Sequence, residues 1–339
     1  MVSAGYANPS APDPETTYQI ATAEYELTLE KVITEKFHPP DVDSFTVYFT
    51  DQFFQGLGQD SGYPSRFAGY VKDAAVESWQ KQVVDWHLAD GLPSNKPKDA
   101  DAHHQFFAIN TLNWYHGEKC PSQNSGAWSY MGGNIRKVWV RCDAWHRFEI
   151  YYSSLALLLN SMICHEFYHG IQGGHSRIDL KVGWKWFIEG QARFLQSVQV
   201  QNEEFLHVNH QYPEAANGYL DSLMNRSLKS LDYPFCLYWR FLYEKFYPNE
   251  NTAQKLSIIR DCYKYTDSVG TKPIADGARA IDKAFVEAGQ QGNAPFGSFA
   301  KSIDSFATAC YLRDFNKSLI VDIISFQSLL TLVLEDVIL

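Results

Sequence analysis

Two histidines and a glutamate near the middle of the chain have the types and the spacing of a catalytic metal site. The sequence His-Glu-Phe-Tyr-His spans residues 165–169 and follows a mostly apolar run at 155–163. Residues four apart lie on one face of a helix, so His165 and His169 can present two imidazoles to one metal ion. Glu166 lies beside them, where its carboxylate can act on a water molecule. This pattern is typical of zinc hydrolases that cleave peptide bonds.

Two histidines do not complete such a site, because a catalytic zinc takes three protein ligands and keeps one position open. The first candidate for the third ligand is Glu189, twenty residues after His169. A break at the Gly-Gly pair 173–174 would let the chain turn back and bring this carboxylate to the metal. The second candidate is His175, six residues after His169, which a glycine-mediated turn would deliver.

Between about residues 155 and 247 the chain resembles the gluzincin metallopeptidases, whose familiar members are thermolysin and the zinc aminopeptidases. The resemblance rests on three motifs in one order. His-Glu-x-x-His comes first, and Trp-x-x-Glu-Gly-x-Ala follows at 186–192. The third motif, at 233–244, is Tyr-Pro-Phe-Cys-Leu-Tyr-Trp-Arg-Phe-Leu-Tyr-Glu. It is similar to the stretch that opens a helix with Tyr-x-x-Gly in the aminopeptidase branch.

The resemblance implies a role for each residue. One catalytic Zn²⁺ ion would be bound by His165, His169 and Glu189. Glu166 would be the general base, taking a proton from a zinc-activated water and passing it to the leaving amine. The hydroxyl of Tyr233 would stabilise the oxyanion together with the zinc. The expected activity is that of a zinc metallopeptidase acting on a peptide or protein substrate.

The chain departs from the gluzincin pattern in three places. Arg193 stands four residues after Glu189, where thermolysin-like members have an aspartate that supports a histidine ligand, so another oxygen must orient the imidazoles. Cys236 replaces the glycine of the third motif. The Gly-x-Met-Glu-Asn motif of the aminopeptidases is absent, and Gly-Gly-Asn at 132–134 lacks the carboxylate that grips a substrate amino terminus. The last departure favours an endopeptidase.

Two alternatives stay open. A metzincin-like peptidase would use His175 as its third ligand, but that family needs glycine where this chain has Gln172, and Met224 is a poor match for its methionine turn. The other alternative is a catalytically silent protein that uses a zincin fold for binding. No residue favours it, since the expected base and ligands are all present.

Composition and charge narrow the class of partner. The chain has 339 residues, of which 45% are hydrophobic and 20% charged, so we expect a globular protein with a large core. A formal net charge of −10 disfavours nucleic acid and anionic membranes as partners. We expect a monomer. No signal peptide is visible, but the resemblance to stand-alone peptidases implies a secreted protein, in which Cys120–Cys142 is the favoured disulfide.

The elements that must position these residues follow from local patterns. Alternating β-branched and aromatic residues predict strands at 44–50, 106–114 and 137–141. Helical periodicity, with Gly and Pro as stop signals, predicts helices at 21–37, 75–88, 152–172, 185–200, 235–248, 252–265, 275–288 and 296–313.

Strands in the first half and helices in the second predict an α+β molecule. It would be zincin-like, with a small mixed sheet in the N-terminal part and a mainly helical C-terminal part flanking an active-site cleft. The predicted organisation is a flexible segment at 1–20, a strand-rich subdomain at 21–150, a helical zinc-binding subdomain at 151–315 and an apolar tail at 316–339. The first subdomain would carry a substrate-binding edge strand at 137–141. The longest charge-free run of the tail is too short to span a membrane, so we expect no membrane anchor there.

Overall fold

The structure is a computed structural model. It describes residues 18–21, 26–29, 31–36, 44–49, 54, 61–89, 104–110, 127–130, 136–142, 155–175, 184–200, 235–268, 273–293 and 295–312. Along the strands it describes mainly the backbone. The tail predicted at 316–339 lies outside these residues.

Seven α-helices dominate the described part of the chain. They are Tyr63–Trp79 (α1), Leu155–His175 (α2), Lys185–Gln199 (α3), Cys236–Lys245 (α4), Thr252–Lys264 (α5), Pro273–Gln290 (α6) and Phe299–Leu312 (α7). A π-helical stretch at Gln80–Asp85 continues α1, and a 3₁₀ turn at Tyr265–Ser268 follows α5. Among these helices, none is long and apolar enough to cross a membrane.

Backbone pairing outlines seven short strands. They are Tyr18–Ala21 (β1), Glu26–Leu29 (β2), Lys31–Lys36 (β3), Ser44–Phe49 (β4), His104–Asn110 (β5), Ala127–Tyr130 (β6) and Arg136–Arg141 (β7). Strands β1 and β2 pair with each other, and the other five pair in the order β3-β4-β5-β7-β6. Pairing is parallel between β4 and β5 and between β5 and β7, and antiparallel elsewhere.

The predicted α+β class is wrong. Among the residues for which both backbone and side chain are described, 81% are helical, in seven helices. Strands contribute only scattered residues to this set, and no sheet is formed within it. The predicted zincin-like arrangement of a small mixed sheet beside a helical part therefore gives way to a helical fold. In the sequence, alternating runs predict strands as readily as helical periodicity predicts helices. The strands are only four to seven residues long, however, whereas the helices have 10 to 21 residues and supply most of the described core.

Several elements differ from the sequence prediction, including the strand predicted at 106–114, which is observed at His104–Asn110, and β6, which was not predicted. Strands replace the helix predicted at 21–37, because the β-branched run at 32–34 favours extended backbone. Helix α1 begins at Tyr63 instead of residue 75, since Pro64 occupies the first turn, where proline is tolerated. Helix α2 continues through the Gly-Gly pair at 173–174 to His175, where an end at residue 172 was predicted. The helices predicted from residue 185 onwards are confirmed to within three residues at each end.

The chain divides into two compact units, residues 1–80 with 94–170 and residues 81–93 with 171–339. In the first unit, α1 packs on β4, and its buried face brings Tyr63 and Phe67 edge-on against Phe54. In the same unit, the side chain of Asn160 on α2 donates a hydrogen bond to the carboxylate of Glu77 on α1. These contacts fix one end of α2.

The second unit packs helix on helix around aromatic side chains. Trp186 of α3 meets Phe235 edge-on with ring centroids 5.1 Å apart, and Phe187 meets Trp239 of α4 at the same distance. Such perpendicular pairs contribute beyond the area they bury. The high aromatic content of the sequence therefore serves core packing in this unit.

The cysteines of the described residues are all buried. They are Cys142, Cys164, Cys236 and Cys262. Cys120 lies outside the described residues, so the Cys120–Cys142 disulfide stays a prediction.

Candidate metal centre

Helix α2 places two imidazoles side by side. Its first two turns are apolar and bury Leu155, Leu158 and Leu159, which fixes which face of the helix points inwards. His165 and His169 follow on the buried side and are only 4% and 3% exposed. Their Nε2 atoms are 3.0 Å apart, and the two rings are perpendicular with centroids 4.6 Å apart.

Helix α3 supplies a carboxylate. It buries Trp186, Phe187 and Ile188 in its first turn and leaves Glu189 half-buried. The ligand atoms of His165, His169 and Glu189 all lie within 4.8 Å of one another. Two nitrogens and one oxygen at this separation form a group of metal-binding dimensions, and it is the one group of this kind among the residues that the structure describes.

The donor atoms fit zinc. Two imidazole nitrogens bound at about 2.0–2.1 Å to a tetrahedral zinc ion lie roughly 3.3 Å apart, close to the 3.0 Å between the Nε2 atoms of His165 and His169. A single N–H···N hydrogen bond between the rings would also suit that distance. A hydrogen-bonded pair does not need a carboxylate as third neighbour, whereas a metal site does, and Glu189 is there.

A buried glutamine ties the two helices together. Gln172, on the last turn of α2, donates from Nε2 to the backbone oxygen of Ile188 at 3.1 Å and to Oε1 of Gln191 at 3.2 Å. Both acceptors lie on α3, one residue before and two residues after Glu189. From the sequence alone, Gln172 is only a departure from the glycine of the metzincin pattern. The available signal was its spacing of three and seven residues from the histidines, which places it on their face of the helix.

Within the Trp-x-x-Glu-Gly-x-Ala stretch, helix packing explains the glycine, Gly190. A Cβ added at Gly190 would lie 3.1 Å from Nε1 of Trp239 and 3.3 Å from Cβ of Phe235, so a larger residue would press on α4. The glycine thus allows α3 and α4 to approach closely next to the carboxylate. This packing role of Gly190 does not follow from the sequence alone.

The other predicted site residues have different outcomes. Glu166 is on α2 next to His165 and is buried, with 6% exposure. Tyr233 lies outside the described residues, which resume at Phe235 before α4. His175 is described only in its backbone, which is helical.

The helical backbone at His175 determines whether this histidine could return to the other two. Six residues of α-helix advance by about 9 Å and turn by roughly 240° relative to His169. The metzincin-like alternative needs a turn between these two histidines to bring the third imidazole back. Helix α2 continues to His175 without such a turn.

Two residues depart from the gluzincin pattern: Arg193 is half-buried on α3, and Cys236 is buried on α4. The guanidinium of Arg193 donates from Nη1 to Oε1 of Gln196 at 2.9 Å. Burial raises the pKa of the Cys236 thiol from 9.0 to about 12, against a smaller lowering by the charge of Arg193. Cys236 is therefore a neutral packing residue and not a thiolate ligand.

Comparison of the chain with protein families, with curated proteins and with solved structures found no match.

Proposed function

We propose that the protein is a zinc-dependent endopeptidase, with His165, His169 and Glu189 as the metal ligands and Glu166 as the general base. The observation that carries this proposal is the convergence of the two imidazoles and one carboxylate, contributed by consecutive helices, to within 4.8 Å. The gluzincin-like order of the three motifs in the sequence supports it.

The chain's own residues account for the remaining chemistry. A bound zinc ion would supply Lewis acidity and lower the pKa of a coordinated water. Glu166 follows His165 directly and is largely shielded from solvent, which suits a carboxylate that accepts a proton from the attacking water and returns it to the leaving amine. Tyr233, two residues before the described start of the α4 region, would donate a hydrogen bond to the oxyanion.

The experiment is a comparison of Glu166→Gln with the wild-type chain on an unfolded protein such as casein and on a broad peptide mixture. The substitution keeps the size of the side chain and removes its ability to take a proton. We expect cleavage to fall by about 10²–10⁴-fold while zinc content stays at the wild-type level. The matched control is Glu287→Gln, because Glu287 lies on the surface of α6, where it pairs with Lys264. This variant should cleave normally.

Two results would contradict the proposal. If the Glu166→Gln variant cleaves at the wild-type rate, Glu166 is not the general base. A zinc-loaded wild-type chain that cleaves nothing in the mixture favours the catalytically silent alternative.

A further inference from the structure

Gln172 shares a helix face with both histidines. It lies three residues after His169 and seven after His165, so its side chain leaves α2 on the same side as the imidazoles. It is fully buried. A buried carboxamide is costly unless its polar atoms are satisfied, so the hydrogen bonds that it makes identify what it holds.

Both of those bonds bracket the carboxylate ligand. Nε2 of Gln172 donates to the oxygen of Ile188 and to Oε1 of Gln191. The first acceptor immediately precedes Glu189 in α3, and the second follows it by two residues. The two bonds therefore fix both the height and the rotation of α3 at the point where Glu189 leaves it.

We propose that Gln172 is the positioning residue that sets Glu189 against the two histidines, an inference that rests on the proposed metal centre. One side chain thus joins the helix carrying two ligands to the helix carrying the third. Metal sites need their ligands held to within about 0.5 Å. Without the two bonds, the position of α3 near Glu189 depends more on aromatic packing, which is less directional.

The chemistry of the side chain matters because both partners are acceptors. An amide nitrogen has two N–H groups, one for each oxygen. A glutamate at position 172 would place its oxygens against two other oxygens, and an apolar residue would leave the buried oxygens without this donor. Neither can replace the glutamine.

Gln172→Met is the test, since methionine keeps the length and apolar contacts of the side chain without its N–H groups. The matched control is Gln82→Met. Gln82 is also fully buried and also donates from Nε2 to a glutamine of α3, Oε1 of Gln199, at 3.1 Å. Gln199 is ten residues beyond Glu189, about 15 Å along the helix. The two variants therefore remove comparable buried bonds at opposite ends of α3.

Two measurements distinguish positioning from general stability. Zinc affinity is measured by competition with a chelating dye, and the visible spectrum of the Co²⁺-loaded chain reports ligand geometry. We expect Gln172→Met to lose about 10- to 100-fold in zinc affinity, as for other residues that orient ligands, with an altered Co²⁺ spectrum. Gln82→Met should keep both wild-type values. Gln191→Ala, which removes one acceptor, should lose less and tests the idea should Gln172→Met not fold.

Three results would overturn this inference. Wild-type affinity and spectrum in Gln172→Met, or in Gln191→Ala where only that variant folds, overturn the positioning role alone. Equal losses in Gln172→Met and Gln82→Met show that any loosening of α3 weakens the site, which also overturns it. A wild-type chain that binds no zinc overturns the metal centre and this inference with it.

Discussion

Glu189 is the residue on which the identity of the site depends. His165 and His169 are brought together by a single helix, and their 3.0 Å separation alone fits either a metal or a hydrogen bond. The carboxylate of Glu189 on α3 completes a three-residue group of metal-binding dimensions. Substitutions at this position therefore test the assignment more sharply than substitutions at the histidines.

We predict that Glu189→Ala lowers zinc affinity by at least about 100-fold, because a catalytic zinc held by two imidazoles lacks the third protein ligand. Equilibrium dialysis against zinc measures this directly. His175→Ala is the comparison, and it should bind zinc like the wild-type chain. The reverse pattern, with zinc lost in His175→Ala and kept in Glu189→Ala, would restore the metzincin-like alternative.

At the scale of single residues, the sequence predicts proximity only where one local rule is sufficient. The spacing of four between His165 and His169 determines their proximity on any helix, so the sequence alone identified them. Glu189 required a motif and a guess about how the chain returns. Gln172 could not be found, because its meaning depends on Ile188 and Gln191, which only tertiary packing brings to it.

At the scale of elements, α3 is held by close approaches to its neighbours. Gly190 faces Trp239 of α4, and a Cβ added at Gly277 of α6 would come within 2.7 Å of Cζ2 of Trp186. Trp186 is fully buried in the first turn of α3. The helix that carries Glu189 therefore approaches α4 closely at its own Gly190 and approaches α6 closely at Gly277.

We predict that Gly277→Ala destabilises the protein by about 1–2 kcal/mol, because the overpacking cost exceeds the gain in helix propensity. Gly69→Ala is the matched control. Gly69 is also helical, on α1, and an added Cβ there meets nothing within 4 Å, so we expect stabilisation by roughly 0.5–1 kcal/mol. Urea unfolding of the two variants measures both changes, and equal shifts in one direction would contradict the close approach at Trp186.

The helices of the second half could be predicted because each carries its own signals. Helix α5, for example, begins after Asn251, whose side chain accepts a hydrogen bond from the backbone nitrogen of Gln254. The fold class could not be predicted the same way. Short alternating runs do not show whether their side chains build a core, and the described core is helical.

At the scale of the whole molecule, the second unit keeps several ionisable groups neutral inside its core. Burial raises the pKa of the Cys236 thiol to about 12, and it raises the pKa of Cys262 and of Tyr238 well above their ordinary values. The hydroxyl of Tyr238 exchanges a hydrogen bond with Ser302 at 2.7 Å, which opposes part of that rise. In the unfolded chain these groups ionise at their ordinary pKa values.

We therefore predict a loss of stability at alkaline pH. Above an ordinary thiol pKa the unfolded chain has released protons that the folded chain still holds, so the free energy of unfolding falls as the pH rises. The stability is fully present below about pH 8, and two buried thiols remove roughly 2–3 kcal/mol of it between pH 8 and 10. Urea unfolding under reducing conditions measures the slope, which should be much smaller in a Cys236→Ala, Cys262→Ala double variant. An equal slope in both proteins would assign the effect to other groups.

X-ray absorption at the zinc edge of the loaded wild-type protein tests most directly the proposed binding of one zinc ion by His165, His169 and Glu189. We predict one tightly held zinc per chain, with nitrogen and oxygen neighbours at about 2.0–2.1 Å and the outer-shell scattering of two imidazoles. Failure of the chain to retain zinc after desalting, or a shell of sulfur neighbours at about 2.3 Å, would contradict it.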